Sequence, residues 1–110
     1  MKIDLLHIYG QRAHHDDAFI VGNRNALIQV KKAIEKALSR EEGAEGIIAV
    51  SVNDGEGYDL EIIMDNSDWI KGRWSKRAVP YTADYAVEKR EDAIYPWSPE
   101  NKINHTQEEK

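Results

Sequence analysis

The sequence predicts an α+β fold: a small, mostly antiparallel sheet in β-β-α-β-β order, one long amphipathic helix packed on it, and an aromatic-rich, partly helical C-terminal extension. Three observations carry this expectation. Ala26, Leu27, Val30, Ala33, Ile34, Ala37 and Leu38 follow a three-four spacing that lines one side of a helix. The flanking segments alternate with the two-residue period of strands. Six of the nine aromatic residues fall between positions 69 and 97, outside both patterns.

Lys2 to Tyr9 reads as the first strand, with Ile3, Leu5, His7 and Tyr9 on one face and Leu6 and Ile8 on the other. Both faces are largely apolar, which predicts a position inside a sheet. Gly10 to Ala13 is a polar turn, and Ala18 to Val21 is a second short strand. The helix opens at Asn23, whose side-chain oxygen suits an N-cap. Gly43 is the expected residue just past its end. A third strand begins at Gly46, and Asn53-Asp54-Gly55-Glu56-Gly57 forms the turn of a hairpin. Its second strand alternates Tyr58, Leu60, Ile62 and Met64 with Asp59 and Glu61, predicting one wet face. Thr82 is placed to cap a short helix from Ala83 to about Asp92, broken by Pro96.

The 110 residues support one domain overall, with a core over 1–66, an extension over 67–100 and a flexible tail over 101–110. No cysteine is present, which excludes disulfides and thiolate metal sites. No apolar run is long enough to span a bilayer, and Asp4 sits where a signal peptide would be apolar, so no membrane partner and a cytoplasmic location are expected. Charge is uneven: residues 1–66 carry seven basic and twelve acidic side chains, residues 67–110 eight of each. A formal net charge of -5 argues against general nucleic-acid binding.

The step Ile20-Val21-Gly22-Asn23-Arg24 is the first candidate site. Unpartnered amides at a helix start attract anions, Gly22 would let a ligand approach the backbone, and Arg24 adds a two-pronged cation. An ordinary N-cap with a solvated arginine is the alternative there. His14-His15-Asp16-Asp17, with His7, could hold a metal, but the spacing offers one ion two ligands on a side, so no metal or other cofactor is expected. Between Trp69 and Tyr81, Arg73, Trp74 and Arg77 have the composition that stacks a base and neutralises phosphate, or else a buried indole with solvated cations. No nucleophile motif accompanies the serines, so catalysis is not expected.

The stretch from His15-Asp16-Asp17-Ala18-Phe19-Ile20-Val21-Gly22-Asn23-Arg24 to Leu27, followed by Asp54-Gly55-Glu56-Gly57-Tyr58, resembles small uncharacterised proteins of bacterial and phage genomes, over roughly residues 3 to 65. Small single-domain phage proteins include sponges that capture nucleotide-derived immune signals. The leading expectation is therefore non-catalytic binding and sequestration of a small anionic, nucleotide-derived ligand, as in phage counter-defence. Gly22, Asn23 and Arg24 would hold phosphate, His7, His14 or His15 would meet ligand oxygens, and Arg73, Trp74 and Arg77 would close over it. Homo-oligomerisation through the aromatic extension is expected alongside. An inhibitor or immunity-type protein-interaction module is the alternative, and a small metal-dependent phosphoesterase the third.

Overall fold

The computed structural model describes residues 3–39, 46–81 and 92–98. It has the expected α+β arrangement: β1 (Leu6–Tyr9), β2 (Phe19–Gly22), α1 (Arg24–Ser39), β3 (Gly46–Ser51) and β4 (Gly57–Ile62). Gly43, Thr82 with residues 83–91 of the expected helix, and the tail lie outside the described residues. No helix among the described residues is long and apolar enough to cross a membrane.

The chain forms two compact units. Unit 1 comprises Met1–Tyr9 with Ala18–Met64, and unit 2 comprises Gly10–Asp17 with Asp65–Lys110. The turn between β1 and β2 thus groups with the C-terminal segment.

In unit 1 the four strands form two antiparallel ladders rather than one continuous layer. β1 pairs with β2, setting His7 opposite Val21 and Ile8 opposite Ile20. β3 pairs with β4, setting Ile48 opposite Leu60 and Val50 opposite Tyr58. A single parallel bridge, Leu5 to Ser51, joins the ladders, with the Ser51 N–H donating to the Asp4 carbonyl at 2.8 Å. The first strand is shorter than expected and is not enclosed. Ile8, Tyr9, Phe19, Ile20 and Val21 are all exposed, because only Leu6 reaches the core. The β3–β4 turn is built as its residues predict. Gly55 takes φ 93, Asp54 Oδ1 accepts from the Glu56 N–H at 2.9 Å, and the Val52 N–H donates to the Glu56 carbonyl.

The core is formed by Leu6, Ala26, Val30 and Val50, with Ile48, Tyr58 and Leu60 packed against it. The helix buries its small residues, Ala26, Val30, Ala33 and Ala37. Leu27, Ile34 and Leu38, read from the sequence as part of the same buried stripe, remain exposed on the flank beside it. Close approach explains the choice. A Cβ at Gly46 would lie 2.6 Å from the Ala33 carbonyl oxygen, so backbone nearly touches backbone where α1 crosses β3. Only alanine-sized side chains fit in that gap, and the bulky ones turn aside.

Unit 2 is organised around Asp65. A 3-10 turn, Arg73–Lys76, brings Arg73 to it, Arg77 follows directly after the turn, and a parallel bridge joins Arg77 to Ile94. The Ala78 N–H donates to the Ile94 carbonyl at 2.9 Å and the Ile94 N–H to that of Lys76 at 2.7 Å.

Candidate functional site

At the helix start, Asn23 is the N-cap. Its Oδ1 accepts from the Ala26 N–H at 3.0 Å, the third helical position. Its amide nitrogen donates to the Ile3 carbonyl at 2.7 Å, and its backbone N–H donates to the Leu5 carbonyl at 3.0 Å. One side chain therefore starts the helix and ties it to the chain entering β1. Asn23→Ala is expected to lose about 1 kcal/mol for the cap, plus the tether to Ile3, read as an earlier melt of α1 by far-ultraviolet circular dichroism. Gly22 serves packing. A Cβ there would meet Leu6 Cδ1 at 2.8 Å and Leu27 Cδ2 at 3.2 Å, so packing against those two leucines requires glycine at this position. Arg24, at the first helical position, is exposed.

His7 does not join this corner. Its Nε2 accepts from the Asn53 N–H at 3.2 Å, and its Nδ1 lies 2.8 Å from the Tyr9 hydroxyl. A neutral ring accepting at Nε2 carries its proton on Nδ1 and donates it to Tyr9. The side chain therefore fastens β1 to the β3–β4 turn. Opposite, the Tyr58 hydroxyl donates to the Leu6 carbonyl at 2.6 Å, and burial pushes its pKa up.

The remaining candidates belong to unit 2. The His14 and His15 rings meet edge to face at 4.9 Å, and His14 meets Tyr81 at 6.2 Å. His15 takes φ 68, a left-handed conformation uncommon outside glycine. Asp16 Oδ2 accepts from the Ala13 N–H at 3.2 Å, closing the turn. Among the described residues no group of three or more histidines and carboxylates is arranged to hold a metal.

Arg73, Trp74 and Arg77 do come together, around a carboxylate of their own unit. Arg73 Nη2 lies 3.0 Å from Asp65 Oδ1, while Arg77 Nε and Nη2 lie 2.8 and 2.6 Å from Oδ2. The Arg77 guanidinium also sits 5.4 Å from the Trp74 ring centre, and Trp74 Nε1 donates to the Asp65 carbonyl at 3.1 Å. The Asp65 side chain is 3% exposed and those of Arg73 and Arg77 are 11% and 15% exposed. Burial alone would raise the Asp65 pKa, but hydrogen bonds from Ser67, Arg73 and Arg77 outweigh it and hold the carboxyl well below the usual carboxylate range. Two of the cations expected to close on a ligand are thus committed to a buried acid.

The loop that follows Asp65 is the feature that sequence reasoning missed. Ser67 N–H donates to Asp65 Oδ1 at 2.9 Å, and Ser67 Oγ accepts from the Arg73 N–H at 3.0 Å. Asp68 Oδ2 accepts from the N–H groups of Ile70 and Lys71 at 3.0 and 2.8 Å, and its carbonyl accepts from Gly72 at 3.0 Å. The closure is tight: a Cβ at Gly72 would lie 2.7 Å from the Asp68 nitrogen and oxygen. At its tip Trp69 and Ile70 are 78% and 74% exposed. The signal was Asp65-Asn66-Ser67-Asp68 ahead of Gly72, a run of side chains that bond their own backbone.

No family model matches the chain, and no curated protein or solved structure is significantly similar to it.

Proposed function

We propose that the protein is a non-catalytic binding module for another protein, of the inhibitor or immunity type, and that Trp69 and Ile70 are its anchor. The observation that supports this is rigidity and exposure in one loop. Ordering a flexible side chain on binding costs about 0.5–1.5 kcal/mol, and that cost falls when the backbone is already braced. Residues 65–73 are braced by Asp65, Ser67, Asp68 and Gly72, yet their two largest apolar side chains stay in water. Tryptophan is among the residues most enriched at the energetic centre of interfaces, and an adjacent isoleucine widens the area it would bury.

The test is capture from a host lysate on the full-length protein, at low and high salt. The expected result is one stoichiometric protein, whose retention falls at least tenfold with Trp69→Ala and with Ile70→Ser while the melting temperature stays unchanged. Undiminished retention by both variants overturns the assignment of the anchor, and a column that retains no protein overturns the reading. Sequestration of a small nucleotide-derived anion is the second reading, favoured by the exposed Arg24 at the first position of α1. Mass spectrometry of small molecules released by denaturing the purified protein separates the two: a nucleotide in stoichiometric amount supports the second.

A further inference from the structure

Unit 1 carries two oppositely charged apolar surfaces that face different directions. The first is the flank of α1 formed by Leu27, Lys31, Ile34 and Leu38, whose four-three-four spacing makes one continuous exposed stripe. Over its length α1 has four cations, Arg24, Lys31, Lys32 and Lys36, against one carboxylate, Glu35. The second is the surface of β3–β4 turned away from the helix. Strand alternation puts Ile48, Val50 and Leu60 against α1 and leaves Ile47, Ala49 and Asp59 on the other face. From Gly46 to Met64 there are four carboxylates and no cation. Beside this surface is an open depression of ≈ 530 Å³ lined by Asp4, Ala49, Val50, Ser51, Gly57, Tyr58 and Asp59, whose two charged side chains, Asp4 and Asp59, are both carboxylates.

We infer that these surfaces bind each other between copies of the chain: the α1 flank of one protomer seats on the outer face of β3–β4 of the next, with Lys31 directed to Asp4 and Asp59. Charge decides the occupant. Two α1 flanks meeting symmetrically would set Lys31 beside its own copy, whereas flank against hairpin pairs opposite charges around an apolar centre of Leu27, Ile34, Ile47 and Ala49. Since the two surfaces lie on different sides of the protomer, the contact is head-to-tail, and its products are rings or open chains rather than a two-fold dimer. All the residues of this interface belong to unit 1, whereas Trp69 and Ile70 belong to unit 2.

Analytical ultracentrifugation of the full-length protein tests it. The wild type is expected to self-associate, with a dissociation concentration that rises at least tenfold between low and high salt. Lys31→Glu reverses the charge at the centre of the α1 flank, opposite Asp4 and Asp59, and Asp59→Lys sets a second cation opposite Lys31, so each variant alone is expected to sediment as a monomer of unchanged circular dichroism. A 1:1 mixture of the two is expected to reassemble, because the charges at positions 31 and 59 are then opposite at every contact between unlike copies. A monomeric wild type overturns the inference. So does an oligomer that survives Asp59→Lys, or a mixture that stays monomeric. An oligomer lost only in Trp69→Ala overturns it as well, and assigns self-association to the loop of unit 2.

Discussion

Asp65→Asn is expected to destabilise unit 2 by about 3 kcal/mol, the usual cost of removing one partner from a buried ionic cluster. Asparagine preserves the shape and still accepts hydrogen bonds, but it leaves the guanidinium groups of Arg73 and Arg77 facing each other without the charge between them. Those side chains are too enclosed to recover full hydration in place, so the segment must open to let them reach water. At about 4–8 °C per kcal/mol for a domain of this size, the transition falls by more than 10 °C. Near-ultraviolet circular dichroism follows it through Trp74, whose indole donates to the Asp65 carbonyl. The same residue sets a pH dependence. With its folded pKa held below the ordinary value of about 3.9, Asp65 stays ionised in the folded protein at a pH where the unfolded chain has already bound the proton. Its stabilisation is therefore complete above about pH 5 and shrinks as pH falls below about 4 toward the folded pKa. Asp65→Asn removes this group's contribution, so the two proteins converge in stability on acidification. A difference that stays constant from pH 7 to pH 2 would refute the role given to the carboxylate.

Leu6→Ala is expected to cost unit 1 about 3 kcal/mol, within the range for truncating a buried leucine. Among the described residues Leu6 is the one large side chain with 0% exposure, and it packs with Ala26, Val30 and Val50. Gly22 provides a sharper check. Gly22→Ala alone places a methyl 2.8 Å from Leu6 Cδ1 and destabilises, whereas in the Leu6→Ala background the same methyl enters vacated space. The double variant is expected to be more stable than the sum of the two single changes by more than 0.5 kcal/mol, measured by urea denaturation. Additive effects would mean that Gly22 is glycine for another reason.

How far the sequence was legible follows from the range of the interactions involved. Asn23 was readable as a cap because its bond to Ala26 spans three residues, and the hairpin turn because Asp54, Gly55 and Glu56 settle it among themselves. The side of α1 that is buried was only half readable. Three-four spacing marks a broad apolar sector, but whether its alanines or its leucines face the sheet depends on how closely Gly46 lets β3 approach. The candidate site was least legible. Arg73 and Arg77 were identified as a pair, yet their partner lies eight and twelve residues earlier, and a lone aspartate at such a distance has no periodic mark.

Local chemistry in the chain was enough to specify the order of strands and helix, the cap, the turn and the absence of thiol chemistry, since each depends on neighbours a few residues apart. What required the folded chain was occupancy: that leucines fill the space beside Gly22, that Asp65 takes the arginines, and that Trp69 and Ile70 are left in water. Spacing records which side chains share a face, but which of them finds a partner is decided by close contacts between segments distant in sequence, where ångström differences in approach select one packing over another.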